Sequence, residues 1–310
     1  MHQEKAAILL NPAAGKGKAL RTKDRLDKLL RALEIPHDLF VTQDAKDLRN
    51  LTRESAGHYG TLVGAGGDST FQIIVDEMMK AGSQPQLGLL GLGSSNDIAR
   101  EFGLETLEKA CLALKTGKTR KIDVGCVSQG GRTLLYFLGQ ANIGLGVLVN
   151  WHVESLLRRR PWVGKRQAMA GVLGILDAYR RRKIPLLLEI QSPQGTIEAE
   201  FVAAIFSNVR YWATGRLINP AARVDDGSLD ACLIRKCPLL RLVRLVRLAG
   251  KGKHGQAGEV EFVRSAVFEV RSEHPFAVQA DGEILGGWPS PSLFTEIQVR
   301  AIPQALELIC

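Results

Sequence analysis

The sequence carries neither a Walker A motif, GxxxxGK[ST], nor a dinucleotide-binding GxGxxG, which disfavours a P-loop enzyme and a nicotinamide dehydrogenase. Its five cysteines (Cys111, Cys126, Cys232, Cys237, Cys310) form no CxxC pair. An odd, unpaired set argues for a reducing compartment and against a disulfide or zinc framework. No apolar run approaches the ~18 residues of a membrane span. The apolar stretch Ala6 to Leu10 is too short for a signal-peptide core. Internal repeats and low-complexity linkers are also missing. The expectation is a soluble, cytoplasmic protein whose contact with any membrane is peripheral.

What is present is the balance of a globular chain. The 310 residues fit two domains better than one, with 45% apolar and 24% charged residues. The formal charge of +9 suits nucleic acid, an anionic membrane or a phosphorylated substrate. No recognisable RNA- or DNA-binding motif accompanies it, so no nucleic-acid partner is expected.

Up to about residue 125 the pattern alternates strand and helix, as in a parallel sheet covered on both faces. Strands are expected at Ala6–Leu10, His37–Thr42, Thr61–Val63 and Gln86–Leu90. Helices are expected at Gly15–Leu33, Asp44–Ser55, Phe71–Lys80 and, broken near Gly103, Asn96–Lys115. From 126 to 310 the texture is mostly β: Thr133–Gln140, Pro185–Gln191, Ile197–Asn208, Leu229–Arg235, Val260–Arg271, Phe276–Gln279 and Leu293–Arg300. Helical stretches interrupt it at Arg166–Arg182 and Leu239–Ala249. Turn-joined strands imply an antiparallel second domain, with room for the last residues to pack back on the first.

Three strand ends carry the same turn chemistry: Asn11–Lys18, Gly64–Thr70 and Gly91–Asp97. In an open parallel sheet these turns share the carboxyl edge, where ligands bind. Glycine lets the backbone approach a phosphate, and the amides that open each helix supply oriented donors. Ser69, Thr70, Ser94 and Ser95 add hydroxyls. Asp68 would repel phosphate, so it suits a metal ion, a ribose or an attacking hydroxyl. Each turn taken alone is equally a plain glycine turn with helix-capping residues, among them Asn11, Asn96 and Asp97.

Together these residues resemble the diacylglycerol kinase catalytic-domain superfamily, which includes bacterial soluble lipid kinases and sphingosine kinases. Gly66-Gly67-Asp68-Ser69-Thr70 resembles its GGDGT, and Gly91 to Arg100 its PxGTxND(F)AR. Asn11–Gly15 is similar to its NPxxG, Asp225 to Asp230 to its DDGxLD, and Asp281-Gly282-Glu283 to its DGE. The resemblance implies an α/β nucleotide-binding domain like that of phosphofructokinases and NAD kinases, then a β-sandwich domain, with the active site between them. It implies ATP held by Gly66, Gly67, Asp68, Ser69, Thr70, Ser94, Ser95 and Asn96, with Thr42 beside the nucleotide. It implies a base at Asp281 and Glu283, and Mg²⁺ at Asp226 with the carbonyls of Arg223 and Ser228. The acceptor implied is a lipid, met transiently at the inner face of an anionic membrane. Departures are Ser69 for glycine, Gly91 for proline, Ser94-Ser95 for Thr-x, and Gln72-Ile73 where relatives carry Asn-Glu.

Phosphoryl transfer asks for alignment, charge neutralisation and a carboxylate within reach of the acceptor hydroxyl. On a regular strand Asp281 and Glu283 share a face, and Gly282 equally permits a turn that brings both into a cleft. Asp68 is a rival or co-worker for the proton. Asp281–Glu283 and Asp225–Gly227 also read as ordinary hairpin turns. Between Leu239 and Leu248 an arginine recurs every third residue (Arg241, Arg244, Arg247), either as an interfacial stripe on anionic lipid or as the solvated edge of a packed helix. Arg158–Trp162 and Arg180–Lys183 add positive charge. Trp151, Tyr211 and Trp212 suit a lipid pocket or a core equally. The leading expectation is an ATP-dependent lipid kinase. Alternatives are a kinase of a soluble small molecule and a noncatalytic lipid- or nucleotide-binding protein.

Overall fold

The computed structural model describes residues 5–159, 173–177, 180, 184–287 and 290–310. The first sheet follows from apolar runs too short for helices. β1 (Ala6–Leu10), β3 (Thr61–Gly66) and β4 (Gln86–Gly91) are almost wholly buried, as strands covered on both faces must be. With β2 (His37–Val41) they run parallel in the order β2-β1-β3-β4. The crossovers are α1 (Ala14–Ala32), α2 (Ala45–Ala56) and α3 (Asp68–Ala81). α2 opens on Asp44, whose carboxylate accepts from the Asp47 amide at 2.8 Å. Most of α3 is buried, Asp76 and Glu77 included. Arg49 reaches these two acids at 3.2 and 2.9 Å, and Lys80 reaches Asp76 at 2.7 Å, which compensates their burial. α4 (Asp97–Glu101) and α5 (Leu107–Thr116) follow β4, separated at left-handed Gly103.

The second unit is a continuous antiparallel sheet that shares one core across two layers. β5 (Thr119–Gln129) and β6 (Arg132–Phe137) form a hairpin beside β16 (Leu293–Ile309). β14 (Val267–Ala280) pairs with β16 on one side, and with β7 (Gln140–Gly144) and β8 (Leu186–Ser192) on the other. Then come β9 (Gly195–Ser207), β12 (Leu229–Arg235) and β13 (Val260–Ser265). Inward residues of β5, β6, β14 and β16 meet those of β7, β8, β9 and β12 around Phe137, Phe201, Phe206 and Phe268, a β-sandwich core. α6 (Leu145–Arg159) and α7 (Leu239–Ala249) cover a further apolar layer built on Ala203, Ile205 and Cys232. A small hairpin, β10 (Tyr211–Trp212) with β11 (Arg216–Leu217), projects toward α4.

Two strands join the halves. β5 contributes Ile122 and Val124 to the first core and Val127 to the second. The last residues of β16 return to the first sheet, where Leu308 pairs parallel with Leu87 of β4 and lies in the first core with Leu306 and Ile309.

The expected α/β and β-sandwich architecture is present. Differences lie where local pattern is weakest. β5 and α6 were not expected as elements. The expected strand Thr133–Gln140 is interrupted at Leu138-Gly139, whose amides bind a carboxylate instead of continuing the ladder. The expected strand Val260–Arg271 divides between β13 and β14. Of the expected helix Arg166–Arg182, residues 173–177 and 180 are helical and the others lie outside the described residues, as do Arg160, Pro161 and Trp162.

Candidate active site

The three glycine turns sit side by side at the carboxyl edge of β1, β3 and β4 and are fitted to one another at backbone distance. The carbonyl of Gly66 accepts from the amides of Leu92 (2.7 Å) and Gly93 (3.0 Å). A Cβ at Gly93 would stand 2.5 Å from the Gly67 Cα, and one at Gly15 would stand 2.4 Å from the Leu92 carbonyl oxygen. Asn11 ties the first turn to the second through Nδ2, donating to Thr70 Oγ1 at 3.0 Å. Asn96, left-handed at φ 54, closes the third: its Oδ1 accepts from the Gly93 amide at 2.8 Å. Gly93→Ala should therefore separate the second and third turns. The expected result is destabilisation of about 1–3 kcal/mol, read by thermal unfolding.

The expected nucleotide residues divide into two groups. Gly67, Ser69, Ser94, Ser95 and Asn96 are at least partly open to solvent, and Gly66 backs them. In α3 the amides of Thr70 and Phe71 both find the Gly67 carbonyl, which leaves those of Asp68 and Ser69 at the open end of the helix. Thr42 and Thr70 are buried instead. The Thr42 hydroxyl donates to the Leu10 carbonyl at 3.2 Å, and Thr70 accepts from Asn11. Ser69 lies in right-handed helix, so serine replaces glycine there without backbone strain. Gln72 points away from the turns, donating to the Tyr136 carbonyl at 3.0 Å.

Asp68 crosses to the third turn, where it accepts from the amides of Asp97 (3.2 Å) and Ile98 (3.0 Å) and so caps α4 from a neighbouring element. Burial pushes its carboxyl up to about 6, against the pull of those amides. Asp97, raised by burial, accepts from Thr214 (3.0 Å) and Gly215 (2.7 Å) in the β10–β11 hairpin. Arg210 reaches Glu101 at 2.8 Å. α4 thereby spans both domains.

From the β domain, the turn Asp281-Gly282 enters the cleft after β14 and leads into β15 (Glu283–Ile284). Both turn residues are left-handed, at φ 45 and 95. A Cβ on Gly282 would lie 4.0 Å from Ser69 Cβ at the start of α3. The two acids do different work. Asp281 is buried, and its two oxygens accept from the consecutive amides of Leu138 (2.7 Å), Gly139 (3.0 Å) and Gln140 (2.8 Å). Burial pushes it up to about 7, opposed by those amides and reinforced by the Asp68 charge. The Glu283 side chain makes no hydrogen bond among the described residues. Burial raises its carboxyl, Arg49 lowers it, and Glu154 raises it further.

The expected metal residues do not gather a fitting donor set. The Asp226 carboxylate is ion-paired with Arg264 and accepts from the Ser228 amide at 3.1 Å. Asp225 is held by Arg120, at 3.2 Å from Nε, and by Arg223. Among the described residues no three His, Cys, Asp or Glu side chains are placed so that they could hold a metal ion together. A carboxylate already neutralised by the Arg264 guanidinium offers a divalent cation little net charge, and the carbonyls of Arg223 and Ser228 add none. The residue organising this loop is Asp123, which went unnoticed in the sequence. It is buried and accepts from the amides of Gly227 (2.6 Å) and Gln304 (2.8 Å). A lone acid within the apolar run Ile122–Val127 was the available signal.

An apolar cavity of about 370 Å³ opens between α6 and β14, lined in part by Gly144, Leu148, Trp151, Phe276, Ala277 and Leu293. Trp151 thus faces a pocket. Tyr211 stacks with Arg100 and Arg210, and Trp212 packs, partly buried, against the apolar layer that α6 and α7 cover. No described helix is long and apolar enough to cross a membrane.

The family model for the diacylglycerol kinase catalytic domain matches residues 5–127, and that for the YegS C-terminal NAD kinase β sandwich-like domain matches 139–310. The chain belongs to the diacylglycerol kinase catalytic-domain family. It is by that membership an enzyme, a lipid kinase. A relative from Pseudomonas aeruginosa, described as a probable lipid kinase, YegS-like, is 31% identical over 80% of this chain and 78% of its own. A protein of Mycobacterium tuberculosis described as a diacylglycerol kinase is 29% identical over 98% of this chain and 94% of its own. The fold is similar to a crystal structure of a diacylglycerol kinase from Bacillus anthracis, with TM-score 0.71 and 16% identity, covering 100% of this chain and 97% of the other.

Proposed function

We propose that the chain transfers the γ-phosphoryl group of ATP to a hydroxyl of a lipid such as diacylglycerol or a sphingoid lipid, with Glu283 accepting the hydroxyl proton. The observation that carries this reading is the approach of the Asp281-Gly282-Glu283 turn to the open end of α3. Phosphates would rest on the amides of Asp68 and Ser69 and the rim made by Gly66, Gly67, Ser69, Ser94 and Ser95. Mg²⁺ arriving with the nucleotide belongs to that substrate. Thr42 and Asn96 act by shaping the rim, and Thr70 by fixing Asn11.

Asp281, Asp68 and Glu283 then take separate roles. Asp281 and Asp68 have their oxygens occupied by backbone amides, which leaves them poor partners for an incoming hydroxyl. They position the turn and α4. Glu283 has free acceptor capacity and a raised pKa, the combination a base near neutral pH requires. The relatives described as a probable lipid kinase and as a diacylglycerol kinase, with the apolar cavity beside β14, support a lipid acceptor. Transfer of label from γ-labelled ATP to a panel of diacylglycerol, sphingoid base, ceramide and phosphatidylglycerol tests it. A labelled soluble product with no labelled lipid, or binding without transfer, would sink it.

The enzyme would meet its acceptor at an anionic membrane surface. α7 buries Leu242, Leu245 and Ala249. The spacing 240, 243, 244, 247 sets Leu240, 85% exposed, together with Val243, Arg244 and Arg247 on the outward face. Arg241 is paired with Glu259 at 3.2 Å, whereas Arg244 and Arg247 have no ion-pair partner among the described residues. Arginine interleaved with exposed aliphatics suits an anionic bilayer. Arg244→Gln with Arg247→Gln should lower partition onto phosphatidylglycerol-containing vesicles roughly 30-fold, measured by sedimentation. Unchanged partition would remove α7 from the reading.

A further inference from the structure

Three buried amide side chains on one face of the sheet, near the apolar cavity, hold polar atoms that reach no hydrogen-bond partner among the described residues. β7 and β14 are antiparallel, with Asn142 opposite Gln279 and Ile143 opposite Val278. Ala141, Ile143, Val278 and Ala280 turn into the β-sandwich core. Alternation along the strands therefore sends Gln140, Asn142 and Gln279 to the other face. Gly144 and Ala277, two residues further along each strand on that same face, line the cavity.

Gln140, Asn142 and Gln279 are 8%, 1% and 5% exposed. Oδ1 and Nδ2 of Asn142 and the Oε1 atoms of Gln140 and Gln279 reach no partner among the described residues. Buried polar groups in native proteins are nearly always paired, because leaving one unpaired destabilises the fold. A row of three beside a cavity therefore points to an occupant that supplies their hydrogen bonds. Gly146, at the start of α6, stands over Asn142, and a Cβ there would lie 3.5 Å from the Asn142 Cβ. α6 thus covers Asn142, and the cavity opens two residues along the same face, at Gly144 and Ala277.

We propose that Gln140, Asn142 and Gln279 form the polar end of the acceptor site, binding the uncharged ester or hydroxyl oxygens of a lipid whose chain fills the adjoining cavity. The proposal rests on the lipid-kinase reading and adds what discriminates among lipids. Amides offer donors and acceptors without net charge. They satisfy carbonyl and hydroxyl oxygens, and would leave a buried phosphate or ammonium group uncompensated. Ile284 is the cross-strand partner of Gln279, which sets the β14–β15 hairpin beside the amide row.

The test compares Asn142→Leu and Gln279→Met, which keep volume and remove polarity, with the unsubstituted enzyme. Three quantities are read: melting temperature, kcat and KM for diacylglycerol and for its dialkyl-ether analogue, and equilibrium binding of a fluorescent diacylglycerol without nucleotide. The unsubstituted enzyme should prefer ester to ether on the order of tenfold in kcat/KM. Both variants should lose that preference, mainly through KM, and bind the fluorescent lipid about tenfold more weakly at an unchanged or raised melting temperature. A lowered melting temperature with the ester preference and binding intact would overturn the proposal, the amides then serving the fold through buried water. Binding that weakens in the variants of an enzyme with no turnover would support the subsite while the kinase reading fails. Absence of lipid binding by the unsubstituted enzyme would overturn the subsite.

Discussion

Glu283→Gln should reduce lipid phosphorylation by a factor on the order of 10²–10⁴, the usual contribution of a positioned general base, with little change in melting temperature. Glutamine preserves the shape of the side chain and removes its capacity to accept a proton. Because the Glu283 side chain makes no hydrogen bond among the described residues, the exchange orphans no donor there. ATP binding, read as the nucleotide-induced rise in melting temperature, should persist, since the glycine rim and α3 are untouched. The pH profile gives a second readout. Burial raises the Glu283 carboxyl above its ordinary value, so kcat/KM should climb with pH through that raised pKa, on an acid limb shifted upward from an ordinary glutamate. The glutamine variant should lose this limb together with the rate. Full activity in Glu283→Gln would return the base role to Asp281 or Asp68.

Much of this arrangement was legible because its determinants are local. Five consecutive apolar residues at Ala6–Leu10 and the glycines at 64, 66, 67, 91 and 93 define strands and tight turns without knowledge of their neighbours. The division of labour among the acids was not legible. Asp281 and Glu283 read as a matched pair two residues apart. They differ because the amides of Leu138, Gly139 and Gln140, more than 140 positions away, converge on one and not the other. The interruption that frees those amides falls inside what reads as one strand, so the sequence offers no punctuation beyond Gly139. A Cβ there would stand 2.5 Å from Asp281 Oδ1, which gives that glycine its reason. β5 was missed for a related cause: it belongs to both cores, so its pattern mixes the two and blurs where one ends. Gln140, Asn142 and Gln279 carry no local signal, because their importance lies in partners they do not have.

Asp281→Asn should behave unlike Glu283→Gln. The carboxylate oxygens accept from three successive backbone amides in a site closed to water. Asparagine offers one acceptor oxygen and sets an NH₂ group against N–H donors, leaving at least one amide unpaired. At about 1–3 kcal/mol for each orphaned buried donor, the variant should melt measurably lower than the unsubstituted protein. Its pH dependence should change as well. Burial lifts the folded-state carboxyl to about 7, above the ~3.9 of an unfolded aspartate, so the folded chain binds this proton more tightly. The stabilisation from that proton is complete below about pH 4 and is lost as pH rises through about 7. Asparagine does not titrate, so the variant should lose this component of the stability–pH slope. Activity should fall too, because the cradle sets the angle at which the turn enters the cleft, and a displacement of about 1 Å at a reacting group costs about 10²-fold in rate. The joint loss of stability and rate is the signature of a positioning residue. Asp281→Asn at full stability with a lost acid limb would instead make Asp281 the proton acceptor, with its cradle serving to tune it.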